Sequence, residues 1–198
     1  DPQRVVWYLP GIMGTQLALP RQHPTPDNLL WLDPTDIHHG RLPLLHIPGE
    51  TLITAGPVLY TWLPLKLALN IAGYTTHCFA YDWRLDLNEV TTAFANTLEE
   101  SGAEQIHLIG HSMGGLVGRA LLQMPAGRRV QRLLTLGTPH RGSFAPVQAV
   151  RGVYPLVRRL AQIDPVNSPE MLSREVFSSF HSLYQMLPRD LQPDLIDP

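Results

Sequence analysis

Four short apolar segments, rich in β-branched and aromatic residues, are separated along the chain by longer segments with helical patterns. The four lie at residues 5–9, 75–81, 105–110 and 130–136. The helical patterns that precede the second, third and fourth segments cover residues 59–72, 87–101 and 113–124. Strands that alternate with helices of about 10–15 residues are typical of βαβ units, in which helices cover both faces of a parallel sheet. The sequence therefore predicts an α/β fold with a mostly parallel sheet.

Length and composition are those of one globular domain. The chain has 198 residues, of which 44% are hydrophobic and 16% charged, so it can bury a sizeable core and a mainly disordered state is excluded. Its net charge of −2 gives no electrostatic footprint for nucleic acid. The single cysteine, Cys78, excludes an internal disulfide and leaves the compartment undecided.

The given residues contain no recognisable signal peptide or transmembrane segment, and we expect a soluble protein. Within the most apolar window, residues 59–72, Pro64, Lys66 and Asn70 interrupt the apolar run. The run is well short of the ~20 residues that a membrane span needs. We therefore predict a buried helix at this position.

The unusual sequences of this chain follow the predicted strands. They lie at residues 10–15, 82–84, 110–115 and 137–143. Right-handed crossovers place the carboxyl ends of parallel strands along one edge of the sheet, where open α/β sheets bind their ligands. This coincidence favours an enzyme whose site lies at that edge.

The segment GHSMGG at residues 110–115 carries the strongest chemical signal. It fits the pattern G-x-S-x-G between a predicted strand and a predicted helix, which is the context of a nucleophile elbow. In such a turn Ser112 is lifted clear of the sheet, while side chains at positions 110 and 114 would collide with neighbouring backbone. The helix that follows offers free N–H groups and a partial positive charge to a developing oxyanion. The alternative is a plain glycine-rich turn in which Ser112 only caps the helix.

A second oxyanion donor is expected in the loop after the first strand. The segment PGIMGT at residues 10–15 stands there. We expect the backbone N–H groups of Ile12 and Met113 to converge on the substrate carbonyl oxygen. Taken alone, this segment is equally compatible with an ordinary tight turn.

Four motifs in this order resemble the lecithin:cholesterol acyltransferase-like branch of the α/β-hydrolases, which includes lysosomal phospholipase A2. They are PGIMGTQL at residues 10–17, YDWR at 81–84, GHSMGG at 110–115 and GTPHRGS at 137–143. The resemblance implies an α/β-hydrolase fold with Ser112 as nucleophile and with oxyanion N–H groups from Ile12 and Met113. It makes Asp82 and Arg84 scaffold residues, paired at a strand end, with a direct substrate role for Arg84 as the alternative. We expect no cofactor, and His38, His39 and His46 have no spacing that favours a metal site.

The chain offers only weak partners for Ser112. A serine nucleophile needs a histidine base and an orienting carboxylate, in the order Ser, Asp or Glu, His. After Ser112 only His140 and His181 remain. No acidic residue lies between Ser112 and His140, and His140 resembles a structural histidine of the family. Asp164 and His181 are formally in order, but no convincing strand separates them. We therefore expect the acid and the base to be encoded beyond residue 198, each on a loop after a further strand.

The domain organisation predicted is a hydrolase core at residues 1–143, containing the nucleophile half, and a helical cap at residues 144–198. Prolines at positions 146, 155, 165, 169 and 188 divide the second segment into short helices. Because such helices carry many apolar residues, we predict a mobile cap over an acyl chain. The alternative is that these residues complete a fixed core. On this reading the 198 residues form a single incomplete domain that lacks its C-terminal strands.

The predicted function is therefore that of a serine esterase, lipase or acyltransferase that cleaves acyl esters, most of all those of lipids, through an acyl-enzyme. The expected binding partner is its substrate, an acyl ester or lipid. Transient contact with lipid surfaces is compatible with this expectation. One alternative is another serine hydrolase, such as a thioesterase, a peptidase or a small-ester hydrolase. The other is a non-catalytic remnant used for binding or as a scaffold.

Overall fold

The computed structural model describes residues 4–20 and 28–188. The strands are β1 (Val5–Leu9), β2 (Thr15–Leu19), β3 (Asn28–Trp31), β4 (Ile53–Pro57), β5 (Thr75–Cys78), β6 (Ile106–His111) and β7 (Val130–Leu136). The helices are α1 (Pro34–His38), α2 (Leu59–Ile71), α3 (Leu87–Ser101), α4 (Met113–Leu121), α5 (Ala145–Val150), α6 (Pro155–Ile163), α7 (Pro169–Met171) and α8 (His181–Gln185). Within the described ranges, no helix is long and apolar enough to cross a membrane.

The chain divides into two compact units. The first comprises Asp1–Asp33 and Thr51–Thr138, and the second comprises Pro34–Glu50 and Pro139–Pro198. The first unit contains every described strand and helices α2 to α4, whereas the second contains α1 and α5 to α8. The sequence analysis divided the chain at one point, between residues 143 and 144. That division into core and cap stays a prediction.

Four parallel strands form the central sheet of the first unit. Their order is β5-β1-β6-β7, and Leu9 at the end of β1 pairs with Gly110 in β6. All four strands were expected from the apolar segments, and their parallel pairing follows from the helical crossovers between them. The prediction of an α/β fold is confirmed.

Helices α3 and α4 cover one face of this sheet. Phe94 of α3 is fully buried and lies 4.8 Å from Phe79 and 5.7 Å from Trp7 between ring centroids. The limits predicted for α3 are those observed, because its capping residues stand at the two ends. The Asp86 side chain accepts a hydrogen bond from the Asn88 N–H at 2.7 Å, and Gly102 closes the helix with a φ of 66°.

Helix α2 lies on the opposite face, and the prediction that it is buried was wrong. Trp62 stacks on Tyr8 of β1 with ring centroids 4.7 Å apart, but it is the only buried residue of the helix. Tyr60 and Ile71 are 87% and 88% exposed. The sequence pattern is apolar on every side of the helix, so it could not show that only one side contacts the sheet.

A second, antiparallel sheet was not predicted. Its strand order is β3-β2-β4, and the register shifts between Gln16 and Leu17 against β4. The many prolines between residues 10 and 64 favoured loops here. Most of these prolines lie between the three strands or at their ends. Proline has no backbone N–H, but at these positions no hydrogen bond to a neighbouring strand is lost.

In the second unit the helices are short, as the prolines of the sequence predicted. Pro146, Pro155 and Pro169 stand in the first turn of α5, α6 and α7, where no intrahelical N–H is required. The buried Phe177 and Phe180 rings meet edge to face at 5.5 Å in the core of this unit.

Three groups near the carboxyl ends of β1 and β5, the half-buried Cys78 and the buried Tyr8 and Tyr81, have pKa values that link folding to alkaline pH. Burial raises the pKa of the Cys78 thiol to about 12, and burial, followed by the nearby Cys78, raises the pKa of Tyr8 to about 12. Tyr81 is shifted in the same direction, mainly by burial. The folded state therefore holds these protons at a pH where the unfolded chain releases them.

We predict that the free energy of unfolding falls from about pH 9 upward and that Cys78→Ala reduces this fall. Between roughly pH 9 and 12 the unfolded thiol loses its proton while the folded thiol keeps it, so alkali favours the unfolded state. Each such proton contributes a slope of ~1.4 kcal/mol per pH unit. Urea denaturation at several pH values measures the slope. An unchanged slope in the variant would contradict the assignment.

Candidate active site

Ser112 occupies a strained turn between β6 and α4. Its φ of 50° and ψ of −122° lie in a region that residues other than glycine rarely adopt. The Ser112 N–H donates to the Leu136 carbonyl oxygen at 2.8 Å, and the Gly115 N–H donates to the Ser112 carbonyl oxygen at 3.1 Å. Hydrogen bonds on both sides of the residue thus hold the strained backbone in place.

The hydroxyl of Ser112 does not cap the helix that it precedes. Ser112 stands at the N-cap position of α4, but its side chain makes no capping hydrogen bond. A serine at this position ordinarily accepts a hydrogen bond from the second or third N–H of the helix. The alternative of a simple capping serine therefore has no support in the geometry.

Two glycines of the turn are required by close backbone approach. A Cβ atom added to Gly110 would lie 2.5 Å from the Gly115 Cα. A Cβ atom added to Gly114 would overlap the Leu9 carbonyl group and lie 2.6 Å from the Pro10 carbonyl oxygen. The predicted collision at positions 110 and 114 is thus present in the structure.

The loop after β1 lies directly against this turn. A Cβ atom added to Gly11 would lie 2.9 Å from the Ser112 Cβ and 3.2 Å from the His111 carbonyl oxygen, so the two segments are in close contact. The loop is closed by a hydrogen bond of 3.0 Å from the Gly14 N–H to the Gly11 carbonyl oxygen. The structure thus brings together the two segments that the sequence analysis assigned to the nucleophile and to the oxyanion donors.

The N–H groups of Ile12 and Met113 are free to bind a ligand. Neither donates a hydrogen bond to any of the residues that the structure describes. Met113 begins α4, so its N–H also carries part of the positive end of the helix dipole. Two such N–H donors are what the stabilisation of a tetrahedral oxyanion requires, and the assignment of Ile12 and Met113 to that role stays a prediction.

Aromatic side chains hold the loop after β1 from outside. The Tyr81 hydroxyl donates to the Pro10 carbonyl oxygen, and the Trp83 and Trp31 indole N–H groups donate to the carbonyl oxygens of Thr15 and Met13, both at 2.9 Å. The sequence analysis missed these three contacts. The motif YDWR at residues 81–84 was a visible signal, but its partners lie far away in the sequence.

Asp82 and Arg84 form the ion pair that was expected at the strand end. The Arg84 guanidinium donates from Nε to Asp82 Oδ1 at 2.9 Å and from Nη2 to Oδ2 at 2.6 Å. The Arg84 side chain is 4% exposed and that of Asp82 is 12% exposed. A buried charge needs such a partner.

The in-chain candidates for acid and base are not hydrogen-bonded to each other. Asp164 is buried at the end of α6, where it accepts from the N–H groups of Val166 and Asn167 at 2.9 Å and from Asn167 Nδ2 at 2.7 Å. His181 is exposed at the start of α8, and His140 is exposed as well. These contacts are those of a carboxylate that closes a turn, and a catalytic role for Asp164 and His181 stays a prediction.

The remaining histidines of the described ranges form no recognisable metal site. His38 Nδ1 lies 3.3 Å from the Ile163 carbonyl oxygen, and His46 Nδ1 lies 2.5 Å from that of Glu175. Among residues 4–20 and 28–188, no three His, Cys, Asp or Glu side chains are grouped closely enough to hold a metal ion.

Comparison with known proteins supports the superfamily. The sequence profile of a family described as a PGAP1-like alpha/beta domain matches residues 84–176, slightly less than half of the chain. This range includes the strand, turn and helix around Ser112. The match supports an α/β-hydrolase type. The narrower branch of lecithin:cholesterol acyltransferase-like enzymes is not confirmed.

Two curated relatives match a short part of the chain. Both are named triacylglycerol lipase, from Pseudarthrobacter phenanthrenivorans and from Burkholderia plantarii, and each is 48% identical over 46 residues. The match covers 23% of this chain and only 14% and 13% of the two relatives. The chain therefore matches about one seventh of the length of these proteins.

Two solved structures are similar over most of the chain. Lipase BlEst2 of Bacillus licheniformis, in its mature form, is 18% identical with a TM-score of 0.48, covering 93% of this chain and 58% of its own. Phospholipase PlaB of Legionella pneumophila is 14% identical with a TM-score of 0.43, covering 92% of this chain and 34% of its own.

We predict that Gly114→Ala disrupts the turn around Ser112, whereas Gly118→Ala one turn further along α4 does not. The methyl group at 114 would meet rigid backbone, and we expect a loss of about 1–3 kcal/mol or more in the free energy of unfolding. The methyl group at 118 would meet the Leu133 Cδ1 at 2.9 Å, the end of a flexible side chain. Alanine also favours the helix, so Gly118→Ala should stay within ~1 kcal/mol. Urea denaturation of both variants decides the matter, and equal losses would contradict the prediction.

Proposed function

We propose that this protein is a serine ester hydrolase that cleaves lipid acyl esters through an acyl-enzyme on Ser112. One observation carries the proposal. The Ser112 hydroxyl stands in a strained strand-to-helix turn, makes no capping hydrogen bond, and lies against a loop with a free N–H at Ile12. Strain and an unused hydroxyl at one residue are typical of a nucleophile.

The chemistry follows from this geometry. Ser112 Oγ attacks the ester carbonyl carbon and loses its proton to a general base, and the carbonyl oxygen becomes an oxyanion that the Ile12 and Met113 N–H groups stabilise. Collapse of this intermediate breaks the bond to the alcohol, which takes the proton and leaves the acyl group on Ser112. Water then releases the fatty acid by the same steps. A lipid alcohol in place of water would make the enzyme an acyltransferase.

We further propose that the general base and its carboxylate are encoded beyond residue 198. The carboxylate oxygens of Asp164 are occupied by Val166 and Asn167, and no hydrogen bond joins Asp164 to His181. A base without an oriented partner cannot hold the tautomer that deprotonates a serine. If the 198 residues alone cleave esters, Asp164 and His181 become the first candidates for the carboxylate and the general base.

The lipid class of the substrate rests on similarity. The two curated relatives are named triacylglycerol lipases, and four motifs of the chain resemble lecithin:cholesterol acyltransferase-like enzymes. We therefore favour long acyl esters over small esters, thioesters or peptides. Product analysis with and without an added lipid alcohol separates hydrolysis from acyl transfer.

In the full-length protein, Ser112→Ala should abolish ester turnover and labelling by a fluorophosphonate probe, with little change in melting temperature. The reason is that only the attacking oxygen is removed. Ser101→Ala is the matched control, because this exposed serine lies at the end of α3, where it donates to the Leu98 carbonyl oxygen and accepts from the Ala103 N–H. Retained turnover in Ser112→Ala would rule out the nucleophile. An unlabelled wild-type protein would favour the non-catalytic remnant.

The length of the acyl chain should set the specificity. Each methylene buried against apolar surface contributes ~0.8 kcal/mol, so kcat/KM should rise about fourfold per added methylene until the binding groove is full. A series of p-nitrophenyl esters from two to sixteen carbons, assayed on the full-length enzyme, measures the trend. A maximum at acetate with a fall for every longer chain would identify a small-ester hydrolase instead.

A further inference from the structure

We propose that Tyr81 is a positioning residue for the oxyanion loop, defined here as residues 10–15. Its phenolic hydroxyl fixes the Pro10 carbonyl group and thereby the place of the Ile12 N–H relative to Ser112. The inference rests on the proposed function, since it gives Tyr81 a part in stabilising the oxyanion formed during ester cleavage.

The contact lies where the oxyanion loop meets the nucleophile turn. The Tyr81 hydroxyl donates to the Pro10 carbonyl oxygen at 2.5 Å, and both residues are buried. The same oxygen packs against the turn, because a Cβ atom on Gly114 would lie 2.6 Å from it. The peptide group held by Tyr81 is therefore the one that joins Pro10 to Gly11, whose Cα lies against the Ser112 side chain.

Tyr81 also binds the other end of the loop. Its backbone N–H donates to Thr15 Oγ1 at 3.3 Å, and Thr15 is fully buried. One residue thus contacts both the first and the last residue of the loop that carries Ile12. A loop held at both ends by a buried residue cannot shift without breaking these hydrogen bonds.

The loop needs external support because it contains a strained residue. Met13 has a φ of 64°, which is unfavourable for a side chain of this size. Strained conformations persist only where the surroundings determine them. Tyr81 supplies part of that support, together with the indole groups of Trp31 and Trp83.

The Tyr81 hydroxyl is well suited to constant donation. Its ring is 4% exposed and stacks on Phe79 with centroids 5.8 Å apart, so the side chain has little freedom. Burial, followed by the nearby Tyr8 and Cys78, raises the pKa of Tyr81 well above its ordinary value. The hydroxyl therefore keeps its proton throughout the pH range in which a histidine base works, and the contact does not respond to pH in that range.

The test compares Tyr81→Phe with Tyr8→Phe in the full-length enzyme. Both changes remove one hydroxyl from a buried ring, but the Tyr8 hydroxyl makes no hydrogen bond to the described residues. We expect Tyr81→Phe to lower kcat tenfold or more with KM within twofold of wild type. Inactivation by the fluorophosphonate, whose phosphoryl oxygen uses the same N–H donors, should slow by a similar factor. Tyr8→Phe should keep both rates within twofold.

The pH profile shows whether the loss of kcat comes from the oxyanion loop or from the base that activates Ser112. The profile of kcat in Tyr81→Phe should keep its shape and midpoints and only shift downward, because the base that activates Ser112 is unchanged. A kcat like that of Tyr8→Phe, or a rise in KM alone, would overturn the proposal. Ser112→Ala separates failure of the proposed function from failure of the role of Tyr81. Turnover in Ser112→Ala contradicts the proposed function itself. An inactive Ser112→Ala together with a wild-type kcat in Tyr81→Phe contradicts only the positioning role.

A second pair of variants covers the case in which Tyr81→Phe does not fold. Thr15→Val removes the acceptor of the Tyr81 N–H at nearly constant volume, and Thr15→Ser keeps it. We expect Thr15→Val to lower kcat without a comparable change in KM, and Thr15→Ser to keep a kcat close to that of the wild type. Equal kcat values in these two variants would overturn the proposal that Tyr81 positions the loop.

Discussion

The close approach of two backbones at the carboxyl edge of the sheet is the constraint on which the site depends. Strands β1 and β6 are neighbours, and Leu9 pairs with Gly110, so the loops that follow them must meet. They meet at Gly114, where any side chain would overlap the Leu9 carbonyl group. Because this contact is between backbones, the closeness of the loop after β1 to the turn around Ser112 does not depend on side-chain rotamers.

The rest of the first unit supports that contact from both sides. Below it, α3 and α4 cover one face of the sheet. The packing of α4 against α3 and the sheet fixes the direction of α4, whose first residue is Met113. Around it, the residues after β5 contribute Tyr81 and the buried pair of Asp82 and Arg84. The turn at Ser112 and the loop after β1 are thus held by buried contacts, as the proposed stabilisation of an oxyanion requires.

Elements with a clear sequence signal were predicted correctly, and those that depend on distant partners were not. The limits of α3 were exact because Asp86 and Gly102 cap it locally. The antiparallel sheet was missed because its pairing joins residues far apart in the sequence, and prolines obscured its strands. The exposure of α2 was predicted wrongly because a helix that is apolar on all sides carries no signal for the side that contacts the sheet.

The sequence by itself determined the alternation of strands and helices, the serine between two glycines, and the prolines that start the helices of the second unit. These features depend on local steric and hydrogen-bonding rules, which act over a few residues. Only the tertiary structure decided which groups surround Ser112. Gly11 reaches it across about a hundred residues of sequence, and the Tyr81 hydroxyl binds a carbonyl group 71 residues away. Such contacts are set by strand order and register, because a hydrogen bond between distant residues leaves no periodicity in the sequence.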